Sequence, residues 1–232
     1  LKMKKKSTLI KAAVIMLFTA FAYGAAAQTA TPFPGPSKDA ATGPPAAATD
    51  VGKVICATGS INLQGPADAT GTITYQWYKV DNAGVKKLVK EAKDNTYTET
   101  STDPGYYTYQ LVQVSAATCQ SDPSDLYRVY VLPPLNPAIS GASTVCEKNQ
   151  TTSTLTITGL SPDYTYTYQW SRNGTPVTTG GTAATYTVSE SAAGSVTYSV
   201  AVAYTLNTTC TKSATTTITV APVPVKPTIQ FN

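Results

Sequence analysis

Cysteine and tyrosine are the residues through which this chain could do chemistry. Its 232 residues hold four cysteines, 15 tyrosines, 13 Asp and Glu, and no histidine. Without histidine, Ser-His-Asp and Cys-His nucleophile arrangements are excluded, as are His-based metal sites. A zinc site built from cysteine alone would need CxxC pairs, and Cys56, Cys119, Cys146 and Cys210 each stand isolated. Paired carboxylates could act as acid and base, but Asp81, Asp103, Asp122 and Asp163 sit in turn-like stretches where hydrogen bonds to the backbone explain them. Gly180-Gly181 lacks the strand before and helix after that a phosphate loop requires. The reading is therefore of no enzyme, no cofactor and no metal site.

Two chemistries remain: thiol oxidation to disulfides, and stacking on the flat faces of tyrosine. Tyr106-Tyr107 are adjacent, and Tyr164, Tyr166 and Tyr168 alternate. Alternation along a strand puts side chains on one face, so Tyr106, Tyr164 and Tyr166 are candidates for stacking on sugar rings. Ordinary β-propensity and core packing are the plainer account of the same residues.

Disulfides require export, and the amino terminus supplies the signal for it. Met3 to Lys6 with Lys11 form a positive region, Ala12 to Tyr23 an apolar run, and Ala25-Ala26-Ala27 a small-residue cleavage site, predicting a signal peptide over residues 1–27. The alternative is an uncleaved anchor, for which the apolar run is short. Five of the 17 Lys and Arg, and none of the 13 Asp and Glu, lie in those 27 residues, leaving 12 positive against 13 negative. A near-neutral mature chain has no electrostatic footprint for nucleic acid, and none is expected as a partner. The cluster Lys86, Lys87, Lys90 and Lys93, interrupted by Glu91 and Asp94, reads as an edge strand protected from pairing.

The cysteines belong to a pattern that occurs twice. Cys56, Tyr75-Gln76-Trp77, Tyr109 and Cys119 recur as Cys146, Tyr168-Gln169-Trp170, Tyr198 and Cys210, at offsets of 90, 93, 89 and 91 residues. Two copies of one module account for it. Of the three pairings that four cysteines allow, the repeat favours Cys56 with Cys119 and Cys146 with Cys210, each module closing its own loop. A loop of about 60 residues is worth roughly 4 kcal/mol on the chain-entropy model. Trp77 and Trp170, at one register in both copies, read as core residues, together with Tyr109 and Tyr198.

The elements that must hold these residues are strands. Residues 28–53 are Ala, Thr, Pro and Gly with almost no large apolar side chain, predicting a disordered leader. Residues 54–132 then alternate apolar and polar in short runs. The run from Thr72 to Val80 puts Ile73, Tyr75, Trp77 and Lys79 on one face, Asp81-Asn82-Ala83-Gly84 turns, Asp103-Pro104-Gly105 turns again, and Tyr106 to Ser115 resumes the alternation. Pro133, Pro134 and Pro137 make a stiff linker over 133–137, and residues 138–221 repeat the plan with a hairpin turn at Asn173-Gly174. The fold class read from this is all-β, two tandem immunoglobulin-like β-sandwich domains after the signal peptide and leader.

The last segment, 222–232, repeats the linker. Pro222, Pro224 and Pro227 follow Pro133, Pro134 and Pro137 by 89 or 90 residues, and Thr228-Ile229 falls where Ala138-Ile139 opened the second module. It reads either as the front of a longer tandem array, which we prefer, or as a terminal strand that another molecule's sheet edge could accept.

The run Val-Ile-Cys-Ala, Ile-Asn-Leu, Tyr-Gln-Trp-Tyr, Asp-Pro-Gly-Tyr-Tyr and Cys, followed by proline-rich linkers, resembles the immunoglobulin-like and PKD-like repeats of secreted Bacteroidetes surface proteins. The resemblance covers residues 54–232. It implies an exported structural or adhesive cell-surface protein, secreted or surface-bound, whose modules act as a stalk or display a ligand-binding face. Partners would be an extracellular protein or glycan, or further copies of the chain, with no membrane span after signal cleavage. A glycan-binding module, or ancillary repeats of a longer secreted enzyme, are the alternatives.

Overall fold

The computed structural model describes residue 37, residues 43–101 and residues 103–231, and there the chain forms two β-sandwiches in series. The predicted signal peptide lies outside the described residues. Strands of the first sandwich are β1 (Lys53–Ile55), β2 (Ser60–Gln64), β3 (Thr74–Val80), β4 (Lys86–Ala92), β5 (Thr96–Thr100), β6 (Gly105–Val114) and β7 (Tyr127–Val131). One sheet runs β1-β7-β6-β3-β4 and β2-β5 faces it. The second sandwich comprises β8 (Ala138–Ser140), β9 (Thr144–Cys146), β10 (Ser153–Thr158), β11 (Tyr166–Arg172), β12 (Thr175–Pro176), β13 (Thr185–Val188), β14 (Gly194–Tyr204) and β15 (Thr211–Ala221). Its sheets run β12-β11-β14-β15-β9 and β13-β10-β8. Every pairing between these strands is antiparallel except two, β1 with β7 and β9 with β15, where an early strand of each sandwich, the first in one and the second in the other, lies parallel to its closing strand.

Period-two alternation sets the cores. Tyr75 and Trp77 of β3, Tyr107, Tyr109 and Leu111 of β6, Ile61 and Leu63 of β2 and Tyr97 of β5 point inward in the first sandwich. Leu155, Trp170, Tyr198, Val200, Val202 and Ile218 do so in the second. The lysine-rich β4 lies at a sheet edge, and Lys90 turns back to bond Asp94 at 2.7 Å. Turn chemistry follows residue type. Asp81 Oδ1 accepts from the amides of Ala83 and Val85, and Asn173 and Gly174 take positive φ in the hairpin joining β11 to β12.

Two features differ from the sequence reading. The leader was expected to be disordered through Lys53, but its later part is held by the first sandwich. The Ser37 hydroxyl accepts from the Thr108 amide at 3.0 Å, the Tyr106 hydroxyl donates to the Gly43 carbonyl, and β1 begins at Lys53 itself. The anchors are the Ser37 hydroxyl, the Gly43 carbonyl and the half-buried Val51, which packs on the cluster holding Val54 and Tyr130. The two modules are also unequal: β8 adds a third strand beside β10, whereas β2 has a neighbour on one side only among the described residues, and the seven-residue β4 is answered by the two-residue β12.

Candidate functional site: the joint between the sandwiches

The cysteine pairing within modules is overturned. Cys56 is bonded to Cys210 of the other sandwich, across 154 residues, with Cα atoms 5.3 Å apart, and Cys119 and Cys146 are free thiols. Strand geometry forbids the expected pairs. Cys56 follows β1, whose Ile55 lies opposite Val131, and Val131 also pairs Gly105 at the start of β6. Cys119 lies beyond Val114 at the other end of that strand. Ten residues of β6 span roughly 30 Å at about 3.3 Å each, several times the reach of a disulfide. The same holds in the second sandwich, where Cys146 pairs Ala221 and Cys210 adjoins the opposite end of the eleven-residue β14.

The bridge is one part of a packed joint. Val54, Tyr130 and Leu132 of the first sandwich form a buried cluster with Tyr204 and Cys210 of the second, and Tyr106, Tyr164, Tyr166, Leu206 and the linker's Leu135 pack on it half-buried. The hydroxyls of Tyr130 and Tyr164 meet at 2.7 Å, the Tyr204 hydroxyl donates to the Pro133 carbonyl at 3.0 Å, and Asn207 Nδ2 donates to the Val54 carbonyl at 2.9 Å. Burial and, for Tyr130, the bond with Tyr164 push the phenols of Tyr130 and Tyr204 well above the ordinary tyrosine value. These phenols therefore stay neutral across physiological pH.

Tyr106, Tyr164 and Tyr166 are thus at the joint rather than on an open face. Tyr106 stands edge-on to Tyr130 with centroids 4.8 Å apart, and Tyr164 and Tyr166 each meet Tyr204 at 5.2 Å. Register explains the meeting: Tyr166 is paired with Tyr204 across β11 and β14, so the alternating tyrosines flank it. Edge-on and tilted contacts with other tyrosines cover part of each ring, and all three side chains are half-buried. Beside the joint lies an open cleft of about 430 Å³ whose lining includes Cys56, Asp103, Pro134, Asn136, Thr209 and Lys212.

Trp77, Trp170, Tyr109 and Tyr198 are buried, as their repetition suggested. The Trp170 indole donates to the Ala183 carbonyl at 2.9 Å, whereas the Trp77 indole has no partner among the described residues. Sequence reading missed an ionic network present in both sandwiches, buried on its cation in the first and on its carboxylate in the second, where Arg172 is exposed. Lys79, fully buried on the inward face of β3, meets Glu99 Oε1 at 2.5 Å and lies 4.7 Å from the Tyr107 ring centroid, and Glu99 Oε2 accepts from Tyr97 and Tyr109. In the second sandwich Arg172 forks onto both oxygens of Glu190 at 2.9 and 2.7 Å, and Tyr198 donates to Glu190. Arg172 holds the Glu190 carboxyl below its ordinary value against an opposing effect of burial, with Tyr198 adding to the lowering. The signal was in the repeat: a cation stands two residues after each tryptophan, and each closes on a glutamate shortly after Tyr97 or Tyr186.

Among the described residues no three His, Cys, Asp or Glu side chains gather as a metal-binding group, and no helix is long and apolar enough to cross a membrane. No protein-family model matches the chain, and no curated protein matches it. Among solved structures it is similar to the fibronectin(III)-like modules of Clostridium thermocellum CbhA, at 16% identity over 78% of this chain and 96% of that one, with a TM-score of 0.41. At that score the likeness carries no weight, and the two-sandwich assignment stands on strand pairing.

Proposed function

We propose that the chain is a rigid structural segment of an exported protein, two sandwiches locked at a fixed angle to serve as a stalk or to display a ligand-binding face. The observation that carries this is the joint, where a disulfide, three polar contacts and a tyrosine cluster bind the modules on top of the proline linker. Half-mobile domains need none of this; a spacer that must hold its direction does. Export is supported by the same bond, since structural disulfides persist in oxidising compartments, and by the amino-terminal sequence. Resemblance to Bacteroidetes surface repeats supports delivery to the cell surface, with an extracellular protein, glycan or further copy as partner. The glycan reading has less support, because the joint already engages Tyr106, Tyr164 and Tyr166.

Small-angle scattering from the purified oxidised protein tests the stalk directly. A single rigid two-module envelope, lost on reduction, is the expected result. A broad distribution of inter-module angles in the oxidised protein would remove the proposal.

A further inference from the structure

The two free thiols are the unmatched halves of the bond that closes the joint. By repeat position, Cys146 is to the second sandwich what Cys56 is to the first: Cys146 ends, and Cys56 directly follows, the strand that runs parallel to the closing strand of its module. Cys119 is to the first what Cys210 is to the second: each sits in the turn after the long tyrosine-bearing strand, β6 or β14. In the internal joint, the cysteine at the end of the parallel strand's run in one module, Cys56 directly after β1, bonds the turn of the next. The remaining two lie at opposite poles of the pair. Cys119 lies at the end of the first sandwich away from the joint, and Cys146 beside Ala221, where the chain leaves the second.

We propose that copies of this chain join head to tail through a disulfide between Cys146 of one copy and Cys119 of the next. Both thiols have access, Cys119 being exposed and Cys146 half-buried. The segment leaving beside Cys146 repeats the internal linker, with Val225 in the place of Leu135 and Ile229 in the place of Ile139. Leu135 and Ile139 themselves pack against the module that follows them. A second copy's first sandwich offers such a module at the right pole.

The end joint differs from the internal one in a way that makes the bond decisive. Register places Thr219 where Tyr130 stands and Ser195 where Tyr106 stands, so the outgoing pole lacks the rings that bury the internal joint. Contact between copies would therefore depend on sulfur and the linker rather than on a tyrosine cluster. The oxidant is a small or protein disulfide, such as glutathione disulfide. Cys119 thiolate attacks one of its sulfurs and releases one thiol; Cys146 thiolate of the other copy then attacks the Cys119 sulfur and releases the second. Two protein thiols are oxidised, one disulfide is reduced, and two protons pass to the released thiolates.

The proposal rests on the export in the reading above, and its test is independent of the stalk's rigidity. Purified secreted chain is incubated with glutathione disulfide and run on non-reducing gels, then digested for peptide mapping. The expected result is a ladder of reducible dimers and larger species with Cys119 joined to Cys146. Cys119→Ser or Cys146→Ser alone should abolish the ladder, while a mixture of the two variants should give a heterodimer and nothing larger. Persistent monomer with two free thiols, dimers of either single variant through like cysteines, or a scrambled linkage in the wild-type ladder would each overturn it. Scattering from the monomer reports separately on the internal joint.

Discussion

Tyr130 and Tyr164, one from each sandwich, share a hydrogen bond of 2.7 Å between their hydroxyls across the joint. Each phenol is the other's cross-module partner, so loss of one oxygen leaves the second to find water. Tyr164→Phe should cost about 1 kcal/mol in denaturant unfolding, and the double change Tyr130→Phe with Tyr164→Phe should cost less than the two singles together. Strict additivity would show that the bond contributes nothing.

The disulfide is checked most simply by its connectivity. Non-reduced peptide mapping of the monomer should recover Cys56 with Cys210 and leave Cys119 and Cys146 alkylatable. Cys210→Ser should leave each sandwich folded but split one unfolding transition into two, since the modules would then be held together by packing and the linker alone. A single unchanged transition in that variant would mean that the bond does not couple them.

Lys79 is predicted to be the most sensitive charge in the molecule. It is fully buried against Glu99, and removing one partner of such a pair strands the other. Lys79→Met should destabilise the first sandwich by about 3–5 kcal/mol, and the added change Glu99→Leu should restore part of that loss. Equal stability of Lys79→Met and wild type would show that the carboxylate is held by Tyr97 and Tyr109 alone.

Acid and alkali should each weaken the fold, for opposite reasons. The Glu190 carboxyl is held below its ordinary value chiefly by Arg172, so its contribution is present above the unfolded value of 4.5 and is lost as pH falls through the lower folded one. Stability measured between pH 6 and pH 3 should drop, and Glu190→Gln should flatten that part of the curve. Tyr97, Tyr109, Tyr130, Tyr198 and Tyr204 are all pushed well above their ordinary value of 10.0, mainly by burial. Their contribution is full below that pH and fades as it rises, so phenolate absorbance should appear together with unfolding instead of before it.

Much of the strand plan could be read from residues, and the reason is physical. Alternation in Tyr75-Gln76-Trp77 and Tyr107 to Leu111 places side chains directly, and the Asp81 and Asn173-Gly174 turns carry their own local hydrogen bonds and backbone angles. The cysteine partners were not legible in the same way. Repetition shows that positions are equivalent, but equivalence is satisfied as well by a bond from each module to the next as by a bond within each. Cys56 precedes strand β2 and Cys119 follows strand β6, so each lies at a pole of the sandwich instead of on the facing strands that flank a tryptophan. The joint was hidden for a related reason: alternation shows that Tyr164 and Tyr166 share a face, while which neighbour covers that face depends on the other module.

The position of the Cys56 bridge has a mechanical consequence. A pull entering at Lys53 and leaving at Ala221 finds a short covalent route through Cys56, the sulfur bond and Cys210, and then along β15. The 154-residue stretch that the bond spans, with most of both cores in it, is thereby relieved of tension. What must resist the load is the shear of β1 against β7 and of β9 against β15, so a tether made of such units would lengthen little before its end strands slid free.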